Sequence, residues 1–198
     1  MARMRQKARL LVAGVGLGAV LLAAGGALGN TVAAVATVST AQANPAGDIP
    51  DTQAFVTFVS RPGGYQLQVP EGWAQTTRGA DVRFTDALDG VGVTVTPAAQ
   101  APSALRARST VVAAITRTGR AVQITKVQDV HLPDGPAVLA EYTSISDPDP
   151  VTNRRIRLED NAYLFFRAGK VAILTLWAPV GADNADQWRR MARSFRWR

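Results

Sequence analysis

No charged residue occurs between Arg9 and Asp48, while Arg3, Arg5, Lys7 and Arg9 stand ahead of that gap with no acid among them. The asymmetry divides the chain before any fold is considered. Leu10 to Gly29 is an uncharged apolar run, which as a helix rising about 1.5 Å per residue would match the roughly 30 Å hydrocarbon thickness of a bilayer. A basic flank ahead of such a run stays on the cytoplasmic side, so the remainder of the chain is expected to be exported. Small-x-small sites at Ala27-Leu28-Gly29 and Ala41-Gln42-Ala43 suit a cleaved signal peptide, whereas the length of the run suits a single-pass anchor. Residues 1–43 are therefore read as a hydrophobic leader helix of one kind or the other. Residues 44–198 are expected to be extracytoplasmic, either secreted or anchored to the cell membrane.

The leader also accounts for much of the charge. Four of the 22 basic residues and none of the 15 acidic ones fall within residues 1–43, which leaves 18 bases against 15 acids, a net charge of +3. The sequence pI of about 10.7 thus overstates any affinity for polyanions, and nucleic acid is not an expected partner. Hydrophobic residues at 47% against 19% charged are too many for a disordered chain. The chain has no cysteine and a single histidine, His131. Disulfide scaffolds, thiolate metal sites, cysteine nucleophiles, lipidation of an N-terminal cysteine and multi-histidine zinc sites are all excluded.

Residues 44–54 combine Pro45, Gly47 and Pro50 with few large apolar side chains and read as a linker. Beyond them, Tyr65, Leu67 and Val69 alternate with Gln66 and Gln68 in the period of a strand with one wet face, ended by Pro70. Val82 with Phe84, then Val91, Val93 and Val95, predict two strands across a turn at Asp89-Gly90. Ser103 is placed to cap one helix running to Thr118, with Leu105, Val112 and Ile115 on its core face and Gly119 as its stop. Two strands then flank a turn over His131 to Gly135, and two longer ones, Arg154 to Arg167 and Val171 to Ala178, meet at Ala168-Gly169. Both alternating sets of the last strand are apolar, so it is expected to be central. A final helix, capped by Asp183, sets Ala185, Trp188, Ala192 and Phe195 at helical spacing. The expectation is an α+β domain over residues 55–198, a mostly antiparallel sheet of six to eight strands flanked by helices.

The stretch Gly63-Gly64-Tyr65-Gln66-Leu67-Gln68-Val69-Pro70-Glu71-Gly72-Trp73 resembles the opening strand and Pro-x-Gly-Trp turn of PsbP-like domains, in particular the actinobacterial LpqN-type envelope proteins. Ala178-Pro179, Gly181-Ala182-Asp183-Asn184 and a helix ending in Ser194-Phe195 resemble their last strand, cap and helix. The resemblance implies an α/β/α layered sandwich and binding without a conserved catalytic centre. Lipid attachment, as in LpqN-type lipoproteins, is not possible without the cysteine.

No chemical constellation emerges from the residues themselves. A serine hydrolase needs a base near its nucleophile and a group to orient that base; His131 lies in a turn and no nucleophile elbow is present. Asp147 to Asn153 begins a calcium-loop spacing but has Thr152 where glycine and Leu158 where a carboxylate would be needed. Trp73, Trp177, Trp188 and Trp197 are expected to pack in the core. Arg189, Arg193 and Arg196 fall on one helical side and could contact an anion or partner. The reading is a non-catalytic envelope binding or accessory module with no metal and no cofactor. Its partner would be an envelope protein or lipid, and an uncleaved leader would hold it in the membrane. A carrier of a lipid-like ligand, or a hydrolase, with an apolar pocket between sheet and helix is the alternative.

Overall fold

The structure, a computed structural model, describes residues 46–198. The leader over residues 1–43 lies outside them, and no helix among the described residues is long and apolar enough to cross a membrane.

Among the described residues, ten strands and three helices run in the order β1 (Phe55–Ser60), β2 (Tyr65–Pro70), β3 (Ala74–Arg78), β4 (Asp81–Asp86), β5 (Asp89–Pro97), α1 (Ala104–Ser109), α2 (Val111–Thr118), β6 (Gln123–Leu132), β7 (Gly135–Ile145), β8 (Arg157–Arg167), β9 (Lys170–Pro179), α3 (Ala185–Ser194) and β10 (Arg196–Trp197). They form a seven-stranded sheet, ordered β3-β4-β5-β9-β8-β7-β6, and a separate three-stranded sheet, β1-β2-β10. Every pairing is antiparallel. As its two apolar faces require, β9 is the middle strand of seven.

Alternation along β9 divides the interior into two cores. Ala172, Leu174, Leu176 and Ala178 face a large core closed by β2 and α3, while Val171 and Ile173 face a smaller one closed by α1 and α2. The large core centres on Phe195, fully buried, which stacks on Phe165 with ring centroids 4.1 Å apart and on Tyr65 at 5.7 Å. Such pairs add about 0.5–1.5 kcal/mol each beyond area burial. Trp188 is buried in the same core, and Trp73 and Trp197 pack against it half-buried.

Several expectations are corrected. The hairpin between β4 and β5 turns at Ala87-Leu88, with Ala87 at φ 44°, and Asp89 and Gly90 lie inside the strand. Gly90 is needed there for proximity: a Cβ would sit 1.6 Å from the indole of Trp177 on β9. The single helix expected from Ser103 to Thr118 is two helices, broken at Thr110 (φ −115°, ψ −91°). The break turns Leu105 outward, 82% exposed, and leaves Ala107 and Val112 to reach the core. The N-cap of α3 is Asn184, one residue after the expected Asp183.

Part of the expected linker is docked. The Asn184 side chain accepts from the Ile49 N–H at 2.7 Å and donates to the Gly47 carbonyl at 2.7 Å. Asp48 accepts from the Asp183 N–H at 2.8 Å, and Gln187 reaches the Ile49 carbonyl and Asp51. Ile49 is 4% exposed, so one apolar side chain and a ladder of polar bonds override the turn-forming composition. Gly47 adopts φ +90° against Pro179, where a Cβ would lie 2.3 Å from the ring.

Candidate functional site

The outer face of the seven-stranded sheet is unevenly covered. Over β6, β7 and one end of β8 and β9 it lies under α1 and α2; over β3, β4, β5 and the other end of β8 and β9 it is open. The open part forms a cleft of about 490 Å³, bordered at its far end by Ile145 to Asp147. Strand register sets its floor. Arg83 stands opposite Gly92, Gly92 opposite Thr175, Gly90 opposite Trp177, and Trp177 opposite Asp160. Since alternate residues share a face, Arg83, Gly92, Thr175, Trp177 and Asp160 are brought onto one surface from four strands.

Trp177 is buried, its edge filling the space above Gly90, while the Arg83 guanidinium lies over its ring at 4.1 Å from the centroid. That contact is a cation–π pair, and it leaves the indole no free face to act as a sugar platform. Asp160 is 6% exposed, and its Oδ2 accepts from the Ser144 hydroxyl at 2.7 Å. Burial pushes its pKa up to about 6, with the Ser144 bond opposing the rise. Desolvation disfavours the charged form. The same cause lowers Arg83, against the attraction of Asp147.

The residues singled out in the sequence do not assemble around this cleft. Arg189 is paired with Asp186 at 2.7 Å, both exposed. Arg196 lies beyond the end of α3, in β10, and its guanidinium donates to the Arg193 and Phe195 carbonyls. It therefore caps the helix C-terminus, and Arg189, Arg193 and Arg196 do not form one helical face. Arg193 is exposed in the last turn. His131 is exposed within β6, not in the turn, which is Pro133-Asp134. In the Asp147 to Asn153 loop, the Asp149 Oδ1 accepts from the N–H groups of Val151 and Thr152 and from the Thr152 hydroxyl, an Asx-type turn. Asp147 pairs with Arg120 at 3.2 Å. Among the described residues no group of acids and histidine is placed to hold a metal.

Sequence reading missed Asp160. The signal was there: Leu158, Asp160, Ala162 and Leu164 share one parity in β8, so the carboxylate sits on an otherwise apolar face. Arg83 had no such mark, because a charge alternating with Val82 and Phe84 is what any wet strand face shows.

The architecture has a solved counterpart. The solution structure of cyanobacterial PsbP (CyanoP) from Synechocystis sp. PCC 6803 superposes with a TM-score of 0.54, covering 77% of this chain and 98% of that one at 16% identity. The fold is PsbP-like. A crystal structure from Bacteroides thetaiotaomicron VPI-5482 gives a TM-score of 0.43 at 10% identity, covering 72% of this chain and 48% of that one. No protein-family model and no curated protein matches the sequence. At such identities the PsbP likeness concerns the fold, and function must be argued from the cleft.

Proposed function

We propose that the protein is an exported, non-catalytic binding module of the cell envelope, of LpqN-type likeness, whose ligand surface is the cleft over Trp177. The leader's charge pattern supports export, secreted or membrane-anchored, with the domain outside. The observation that carries the binding role is the pair of charges around one cleft: Arg83 over Trp177, and Asp160 buried with Ser144 as its only hydrogen-bond partner among the described residues. The second carboxylate oxygen of Asp160 is not sealed off and opens on the cleft, where a donor of a ligand can reach it.

The contact between Ser144 and Asp160 favours no hydrolase, since no imidazole stands between them to carry the proton and His131 is not among the residues of the cleft. The notch beside α1, about 360 Å³ between Pro97, Ala98, Pro102 and Val171, also has Thr96, Gln100, Arg106 and Thr110 on its walls, which does not favour an acyl chain.

Native mass spectrometry of the full chain, purified in mild detergent from the envelope of its own host, tests the reading. A bound small molecule or partner lost on Arg83→Glu is the expected result. Ester or glycan turnover abolished by Ser144→Ala would overturn it, and a bound lipid that survives Arg83→Glu would replace it with the carrier.

A further inference from the structure

The cleft's side chains differ in how far their polar groups are already engaged. Of its three carboxylates, Asp81 accepts from the Val95 N–H at 2.9 Å, Asp147 is paired with Arg120, and Asp160 takes the Ser144 hydroxyl. The two ion pairs among the described residues, Arg120 with Asp147 and Arg189 with Asp186, include neither Arg78 nor Arg83. Arg78 stands opposite Asp81, and Arg83 opposite Thr76, so both guanidinium groups rise from adjacent strands at the same end of the cleft. The hydroxyls of Thr76, Thr94 and Thr175, on three different strands, line the same space and make no hydrogen bond among the described residues. The Arg83 guanidinium lies over the Trp177 indole, which itself lies over Gly90 of β5, so two strand spacings, about 10 Å, separate it from Asp160 on β8, roughly the length of a sugar unit or two.

Resting on the reading of this cleft as the ligand surface, we infer that it takes an acidic sugar, a saccharide carrying a carboxylate or phosphate. The oxyanion meets Arg83 and Arg78, whose planar forks suit bidentate contact. The ring hydroxyls meet the threonines, and one of them donates to Asp160. A neutral sugar would forgo the guanidinium contacts and find the indole face already covered by Arg83.

Calorimetric titration of the full chain in detergent decides it, with four probes: a galacturonic acid trisaccharide, glucose 6-phosphate, a neutral maltotriose and inorganic phosphate. One of the two charged sugars is expected to bind at least about tenfold more tightly than maltotriose and inorganic phosphate, and which one it is identifies the acid. Arg83→Gln should weaken it about tenfold to a hundredfold, the range for losing a charged hydrogen bond, while Arg189→Gln leaves it unchanged. Arg83 is exposed, so its substitution should preserve the fold, which near-ultraviolet circular dichroism verifies; Arg78→Gln is the second variant. If neither charged sugar binds, or Arg83→Gln and Arg78→Gln bind as the parent does, the inference falls. Maltotriose binding as tightly as the charged sugars and shifting the Trp177 indole resonance would overturn the acidic class while leaving the cleft as the ligand surface.

Discussion

The two faces of the seven-stranded sheet are built from the same strands and end up with different properties. The inner face is sealed by β2, α3 and the docked residues 47–51 over an apolar core, and opens only at one end of β7 and β8, where Glu141, Thr143, Glu159 and Asn161 stand. The outer face is sealed only where α1 and α2 lie on it, and beyond their reach it carries Arg83, Trp177, Asp160 and threonine hydroxyls. Each face holds one nearly buried carboxylate. On the inner side Asp89, 6% exposed, has an Oδ1 with no hydrogen-bond partner; on the outer side Asp160 has Ser144 and an opening toward solvent. Burial raises both, and what separates them is the neighbours: two acids add to the rise at Asp89, whereas the Ser144 hydroxyl opposes it at Asp160. Burial first, then Asp86 and Asp48, raise Asp89 to about 7, whereas Asp160 reaches about 6.

The largest effect should come from breaking the seal. Phe195→Ala removes the ring at the centre of the Tyr65, Phe165 and Trp197 cluster and should cost about 3–5 kcal/mol, the range for deleting a buried aromatic. Urea unfolding measures it. A loss under about 1 kcal/mol would mean that the aromatic cluster is not the keystone of the inner face.

How much of this contrast was legible in the sequence depends on whether one strand or several had to be read at once. The period of Tyr65, Leu67 and Val69 specified β2, and the doubly apolar run from Val171 specified the central β9, because each signal lies within one segment. In β3, Ala74-Gln75-Thr76-Thr77-Arg78, every residue is exposed, so an edge strand with no buried side has no alternation to show. The break at Thr110 turns on a backbone dihedral that a cap-to-stop reading does not register, and Arg196 left the helical face because the chain straightens at Phe195 to pair with β2. The cleft was not legible as a site. Its groups come from six strands, from β3 across to β7, with no spacing in common; only sheet order brings them together.

The pH dependence sharpens the comparison of the two carboxylates. Each has a folded pKa above its unfolded value of 3.8, so the folded state binds more protons and stability falls as pH rises through the interval between the two values. For Asp89 the loss accumulates from 3.8 to about 7, for Asp160 from 3.8 to about 6. Asp89→Asn should therefore match the parent near pH 4 and exceed it above pH 7 by on the order of 2–4 kcal/mol. Asp160→Asn should show the same sign, a smaller gain and a plateau reached one pH unit earlier. Urea midpoints at pH 4, 5.5 and 8 read both. An Asp89→Asn variant with no gain over the parent at pH 8 contradicts this account of the buried carboxylate.

The smallest effect separates what the helices do from what helical spacing suggests they do. Leu105 falls on the core stripe of a continuous helix, yet the break at Thr110 leaves it 82% exposed while Ala107, one turn's fraction away, is fully buried. Leu105→Ser therefore removes almost no apolar area from contact and should change stability by no more than about 0.5 kcal/mol, whereas Ala107→Ser sets a hydroxyl inside the smaller core and should cost about 1–3 kcal/mol. Paired thermal melts of the two variants rank them. Were Leu105→Ser the more damaging, α1 and α2 would have to run as one helix with Leu105 inward, and the outer face would be covered differently from the way that leaves its cleft open.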